Sequence, residues 1–170
     1  VRRALIILLL SFCFVLAGTL PAQAHQPVPL TSANPTPDRG PLLVDGTVSF
    51  ALYASVQGKD TRGFRFALRD RQRREVQLLI TDTSPGNTLA ASELPEVVIT
   101  DPRGKRTILR PVERSPFLEP YSGTKYFYLA RLSGAGIGGT YQVLVRSRST
   151  QPVEAVVAVG YREVSGRVVP

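Results

Sequence analysis

Tryptophan and methionine are missing from these 170 residues, cysteine and histidine occur once each, and lysine three times. Each shortage removes chemistry. A single cysteine cannot close an intrachain disulfide, and one cysteine with one histidine cannot furnish a four-ligand zinc site. A serine–histidine hydrolase would depend on His25, which stands ahead of the folded body where a preorganised nucleophile is poorly supported. Acidic residues are in the minority, 13 against 21 basic, for a net charge of +8. With 43% hydrophobic and 20% charged positions, the composition is that of a globular domain and not of a disordered or multi-span membrane chain.

Arg2 and Arg3 precede an apolar run from Ala4 to Gly18, followed by the small residues of Pro21-Ala22-Gln23-Ala24. This three-part layout is that of a secretory signal peptide. The run falls short of the ~20 residues needed to span a bilayer. Residues 1–24 are therefore expected to direct export to the periplasm or beyond, leaving no membrane span after cleavage and removing Cys13. Taking Arg2 and Arg3 from the 21 basic residues leaves 19 against 13 acidic, a mature charge of +6. Residues 25–45 carry prolines at 27, 29, 35, 37 and 41, which exclude a helix and favour extended chain, a linker or a strap. Residues 46–170 are the expected domain.

In that domain polarity alternates with period two. Val48, Phe50 and Leu52 interleave with Ser49, Ala51 and Tyr53; Phe64, Phe66 and Leu68 interleave with Arg65, Ala67 and Arg69. Each set assigns one strand face to a core and the other to solvent. Similar runs at 75–81, 96–100, 107–110, 125–132, 140–146 and 153–161 bring the count to about eight strands. Asp101-Pro102-Arg103-Gly104 has the residues of a tight turn and predicts a hairpin over 96–110. Only 83–94 has room for a helical turn. The expectation is an all-β, antiparallel β-sandwich, immunoglobulin-like or jelly-roll-like.

Gly63-Phe64-Arg65-Phe66, Val76-Gln77-Leu78-Leu79-Ile80, Thr100-Asp101-Pro102-Arg103-Gly104 and Gly139-Thr140-Tyr141-Gln142-Val143-Leu144-Val145, in this order, resemble the bacterial pre-peptidase C-terminal domains. The resemblance implies an exported, non-catalytic sandwich module. Where that family usually carries paired aspartates before the turn, this chain has Pro95-Glu96-Val97-Val98-Ile99.

Five constellations bear on function. Gly134-Ala135-Gly136-Ile137-Gly138-Gly139 matches a dinucleotide fingerprint, but a strand follows it where a helix is required, so it reads as a bent loop. Arginine outnumbers lysine 18 to 3 and concentrates at 62–74 and 103–114. Arg71, Arg73, Arg74, Arg103 and Arg106 are candidate contacts for an envelope polyanion, while the sequence lacks the interleaved stacking aromatics of a nucleic-acid sheet. His25 would begin the mature chain, and its α-amino group with a ring nitrogen suits copper(II), with Asp38 or Asp45 the nearest carboxylates in sequence. In this one residue the chain resembles exported copper proteins such as lytic polysaccharide monooxygenases, which complete their sites with a second histidine that this chain lacks. Tyr121, Tyr126, Phe127 and Tyr128 offer an aromatic platform to a carbohydrate or protein partner, and Glu113 with Glu119 is the nearest approach to a hydrolytic carboxylate pair. The expected function is a non-catalytic binding or structural module of the cell envelope; the alternatives are copper(II) binding at His25 and polyanion binding.

Overall fold

The computed structural model describes residues 25–170, so the expected signal segment lies outside the described residues. Its strands are β1 (Gln26–Leu30), β2 (Leu42–Leu43), β3 (Phe50–Val56), β4 (Thr61–Leu68), β5 (Arg73–Thr81), β6 (Glu96–Thr100), β7 (Arg106–Leu109), β8 (Ser115–Leu118), β9 (Lys125–Ala135), β10 (Gly139–Arg146), β11 (Val153–Val159) and β12 (Val168–Val169). They form two six-stranded sheets, β1-β3-β11-β5-β9-β8 and β12-β2-β4-β10-β6-β7, stacked as a β-sandwich.

The eight runs expected from alternation all form strands, as β3 to β7 and β9 to β11. Twelve strands replace about eight because β1, β2, β8 and β12 are short and sit at or near the sheet borders. The sheets are also mixed: β1 runs parallel to β3 and β2 parallel to β4, whereas the eight expected strands pair with one another antiparallel. Both parallel strands come from the proline-rich segment. Val28 and Leu30 are buried while Pro27 and Pro29 face outward, and because β1 is an edge strand its missing N–H groups cost the ladder nothing.

After β1 the chain crosses the outer face of the second sheet, where Pro37–Arg39 makes one 3-10 turn. The Gly63 N–H donates to Asn34 O at 2.7 Å, the Thr61 hydroxyl to Pro35 O at 2.6 Å, and Arg65 Nη2 to Gly40 O at 3.0 Å. A Cβ on Gly63 would overlap the backbone of Thr36 and Pro37, so this crossing demands glycine.

Between the sheets lies a continuous core containing Phe50, Leu52, Phe64, Phe66, Val76, Leu78, Ile80, Val143, Val145, Val157 and Val159. Tyr141 is fully buried, stacked on Phe66 at 4.8 Å between centroids and 2° between planes, and its hydroxyl accepts from Ile137 N at 2.9 Å. The expected hairpin over 96–110 is β6–β7, closed by Asp101 Oδ1 accepting from Arg103 N and Lys105 N at 2.9 Å each. Residues 83–94 form successive turns instead of a helix. Among the described residues no helix is long and apolar enough to cross a membrane.

Candidate binding groove

A strand with one solvated face should alternate, and two strands of the first sheet do not. β11 reads Val153-Glu154-Ala155-Val156-Val157-Ala158-Val159, and β5 ends Leu78-Leu79-Ile80. Val156, Ala158 and Leu79 therefore point away from the core, yet each is buried, joining Ala51 and Tyr126 in a second apolar cluster flanked by Phe117 and Tyr128. Apolar residues on both faces mean that this sheet is covered on both sides.

The cover is incomplete, and the opening is a groove of about 330 Å³. Small side chains, Ala51, Val156 and Ala158, make its floor. Tyr53 from β3, Phe117 from β8 and Tyr126 and Tyr128 from β9 make its walls, with Tyr121 and Glu119 on the β8–β9 turn at the mouth and Gln77 and His25 adding polar groups. Tyr126 and Tyr128 share this face because β9 alternates up to Leu129. There the register with β5 shifts at Leu78/Leu79, and Leu129 and Ala130 both turn inward. The bulge brings Arg131 back to the outer face. Its guanidinium lies 4.0 Å from the centroid of the Tyr128 ring, and Nη2 is 3.2 Å from Glu113 Oε2.

The groove holds one carboxylate, Glu119, and one histidine, His25. Burial lowers the His25 pKa, against the opposing pull of Glu163 and Glu119, so the ring is neutral at pH 7. Its Nδ1 is hydrogen-bonded with the Ser49 hydroxyl. Glu119 is held below the usual carboxylate range by hydrogen bonds from Ser122, whose N–H donates to Oε2 at 2.6 Å, while Tyr121 N donates to Oε1 at 3.1 Å. Burial pushes the Tyr53 hydroxyl up to about 12, helped by hydrogen bonding to Tyr126 and by the charge of Glu119. Burial also raises Tyr128.

The other sequence candidates are placed as follows. Phe127 packs into the core, opposite Tyr126 and Tyr128. Glu113 is tied to Arg131 and accepts from the Ser115 hydroxyl at 2.6 Å, so Glu113 and Glu119 each serve local structure. Asp38 lies in the 3-10 turn on the opposite sheet, and Asp45 caps Thr47 and pairs with Arg162; the carboxylates acting on His25 are Glu163 and Glu119. Among the described residues no three His, Cys, Asp or Glu side chains cluster as a metal group. Arg73 pairs with Glu75 and covers Tyr161 at 5.0 Å, and half-buried Arg74 lies over Tyr141 at 5.8 Å. Arg71, Arg103 and Arg106 remain exposed. Sequence reasoning missed Tyr53, Phe117, Gln77, Leu79, Val156 and Ala158; the doubly apolar strands β5 and β11 were the available signal.

No family model matches the chain, and no curated protein is significantly similar. Among solved structures it is similar to the PliG periplasmic inhibitor of g-type lysozyme from Aeromonas hydrophila, with 14% identity and TM-score 0.42 over 81% of this chain and 96% of that one. It is likewise similar to the pre-peptidase C-terminal domain of a Bacillus anthracis collagenase, with 9% identity and TM-score 0.40 over 84% and 99%. A third is the surface-associated copper-binding protein CorA of Methylomicrobium album BG8, with 9% identity and TM-score 0.35 over 71% and 100%. With TM-scores of 0.42 and below, what this chain binds has to be read from its own side chains.

Proposed function

We propose that this chain is an exported, non-catalytic binding module and that the tyrosine groove holds a short run of uncharged sugar units. The observation that carries the proposal is the pairing of a small-residue floor with tyrosine walls on a sheet face that should otherwise be polar. A sugar ring has the same division as the groove, with a C–H face to lie on an aromatic ring and hydroxyl edges for Glu119, Gln77 and the tyrosine hydroxyls. At about 330 Å³ the cavity matches the lower end of small-ligand sites. Among the described side chains, neither the His25 ring, whose pKa is lowered by burial, nor the ion-paired Arg131 offers an unmatched cation to an anionic ligand there. Hydrolysis of a glycosidic bond takes two flanking carboxylates, and Glu119 is the one acid among the described lining residues.

Affinity electrophoresis through gels cast with a panel of neutral polysaccharides tests this reading. Retardation by at least one polymer, lost in Tyr121→Ala and Tyr53→Ala, is the expected result. Tyr121 and Tyr53 are 63% and 39% exposed, so truncating them leaves the core intact. With no tryptophan in the chain, tyrosine emission then gives the affinity, expected to fall roughly fivefold per ring removed. Equal migration of all three proteins in every gel would discard the proposal.

A further inference from the structure

The two arginine-rich stretches, 29 positions apart in sequence (74 to 103), meet at one end of the sandwich. β4 leads into the turn bearing Arg69, Asp70 and Arg71, and β6 leads into the turn bearing Asp101, Arg103 and Lys105, with Arg106 opening β7. Between them runs the β9–β10 loop. A Cβ on Gly138 would lie 3.0 Å from Asp70 N, and one on Gly139 would lie 2.8 Å from Pro102, so side-chain-free backbone lets both turns close in on it. The Arg71 N–H also donates to Gly136 O at 3.0 Å.

Charge at this end is uneven. Arg69, Arg103, Lys105 and Arg106 are exposed and have no ion-pair partner among the described residues, and Arg71 reaches only the exposed Asp70, at 3.9 Å. Asp101 spends its Oδ1 on holding its own turn. The neighbouring cations are already matched, Arg73 by Glu75 and Arg162 by Asp45. Arg71 is also the one non-glycine with a positive φ, 61°, among the described residues, a conformation that disfavours a residue with a Cβ. Its side chain is 93% exposed.

We propose that this end is a second binding site, distinct from the groove, for a polymer bearing phosphate, sulfate or uronate groups. Guanidinium forks supply paired hydrogen bonds to such oxyanions. The tips present Asp-Arg-Gln and Asp-Pro-Arg-Gly, and none of the large exposed hydrophobic residues belongs to these turns, so they lack the apolar wedge by which a protein seats itself in a lipid surface.

The test is salt elution from immobilised heparin of the mature protein and three variants: Arg71→Gly, Arg103→Ser with Arg106→Thr, and a control with Lys59→Gln and Arg148→Gln. The control residues are exposed at the opposite end, where Ser147 N donates to Asp60 O. Retention is expected to weaken roughly tenfold in the Arg103/Arg106 pair, with the salt slope falling by about one per cation removed, and to be unchanged in the control. Arg71→Gly should bind more weakly while melting at a higher temperature, which separates lost contact from lost folding. If the control weakens as much as the Arg103/Arg106 pair, only net charge is at work and the site is refuted. Sedimentation with phosphatidylglycerol-containing vesicles in the absence of heparin retention would refute it equally.

Discussion

Arg131 covers one face of the Tyr128 ring at 4.0 Å while Glu113 holds its guanidinium from the side. The pairing fixes the wall of the groove nearest β8. Removing the guanidinium frees the ring to turn, so Arg131→Ala is expected to weaken binding in the groove. An exposed cation–π contact contributes about 0.5–1 kcal/mol, which predicts a loss of roughly two- to fivefold. Arg131→Lys keeps the charge but not the planar stack and should fall between the two. Titrations followed by tyrosine emission check the order.

Most of the sandwich was legible because strands such as β4 and β10 alternate a buried with a more exposed face. β4 places Phe64, Phe66 and Leu68 inward and Arg65 outward, as period two requires. The short strands were hidden by their prolines. In β1 the alternation of Val28 and Leu30 with Pro27 and Pro29 is a strand pattern, but proline also marks extended linkers, and only tertiary position, here a sheet edge, separates the two. The groove was half visible. Tyr126 and Tyr128 announce a shared face, whereas the parts from β5 and β11 are brought beside them by long-range pairings such as Leu79 with Tyr128 and Val156 with Leu79.

Gly63→Ala should be among the most damaging single substitutions in the chain. The added methyl would overlap the Thr36 and Pro37 backbone and break the Gly63 N–H bond to Asn34 O. Overpacking with a lost backbone hydrogen bond predicts a destabilisation of about 3 kcal/mol, read as a lower denaturation midpoint. Limited proteolysis should then cut within 31–41 faster than in the wild type. An unchanged midpoint would mean that the crossing segment gives way freely.

His25 ties folding to pH. Its folded pKa lies below the ordinary value of 6.5, chiefly through burial, so the unfolded chain takes up the proton more readily. Stability is therefore full above 6.5 and is lost as pH falls toward the folded pKa. Melting curves should show wild type losing more stability than His25→Asn between neutral and mildly acidic pH. The same ring bears on copper(II): chelation through the main-chain nitrogen and Nδ1 has to displace the Ser49 hydroxyl. If copper is held there, Ser49→Ala tightens it, and an extra residue before His25 weakens it. Equal copper affinity with and without that residue would rule out the chelate.

Tyr53 gives an optical handle on the groove. Its hydroxyl is pushed up to about 12, first by burial and then by Tyr126 and the charge of Glu119, against an ordinary value of 10.0. Because the folded pKa exceeds the unfolded one, the stability linked to this group is complete below pH 10 and is lost as pH rises toward 12. Absorbance titration near 295 nm should therefore contain a late phenolate component that vanishes in Tyr53→Phe. A ligand that buries the hydroxyl further delays that component, whereas one seated at the distant basic end leaves it in place. The midpoint measured with a neutral oligosaccharide and then with heparin thus assigns each ligand to its own site, and a heparin-induced delay would mean that the two sites are not separate.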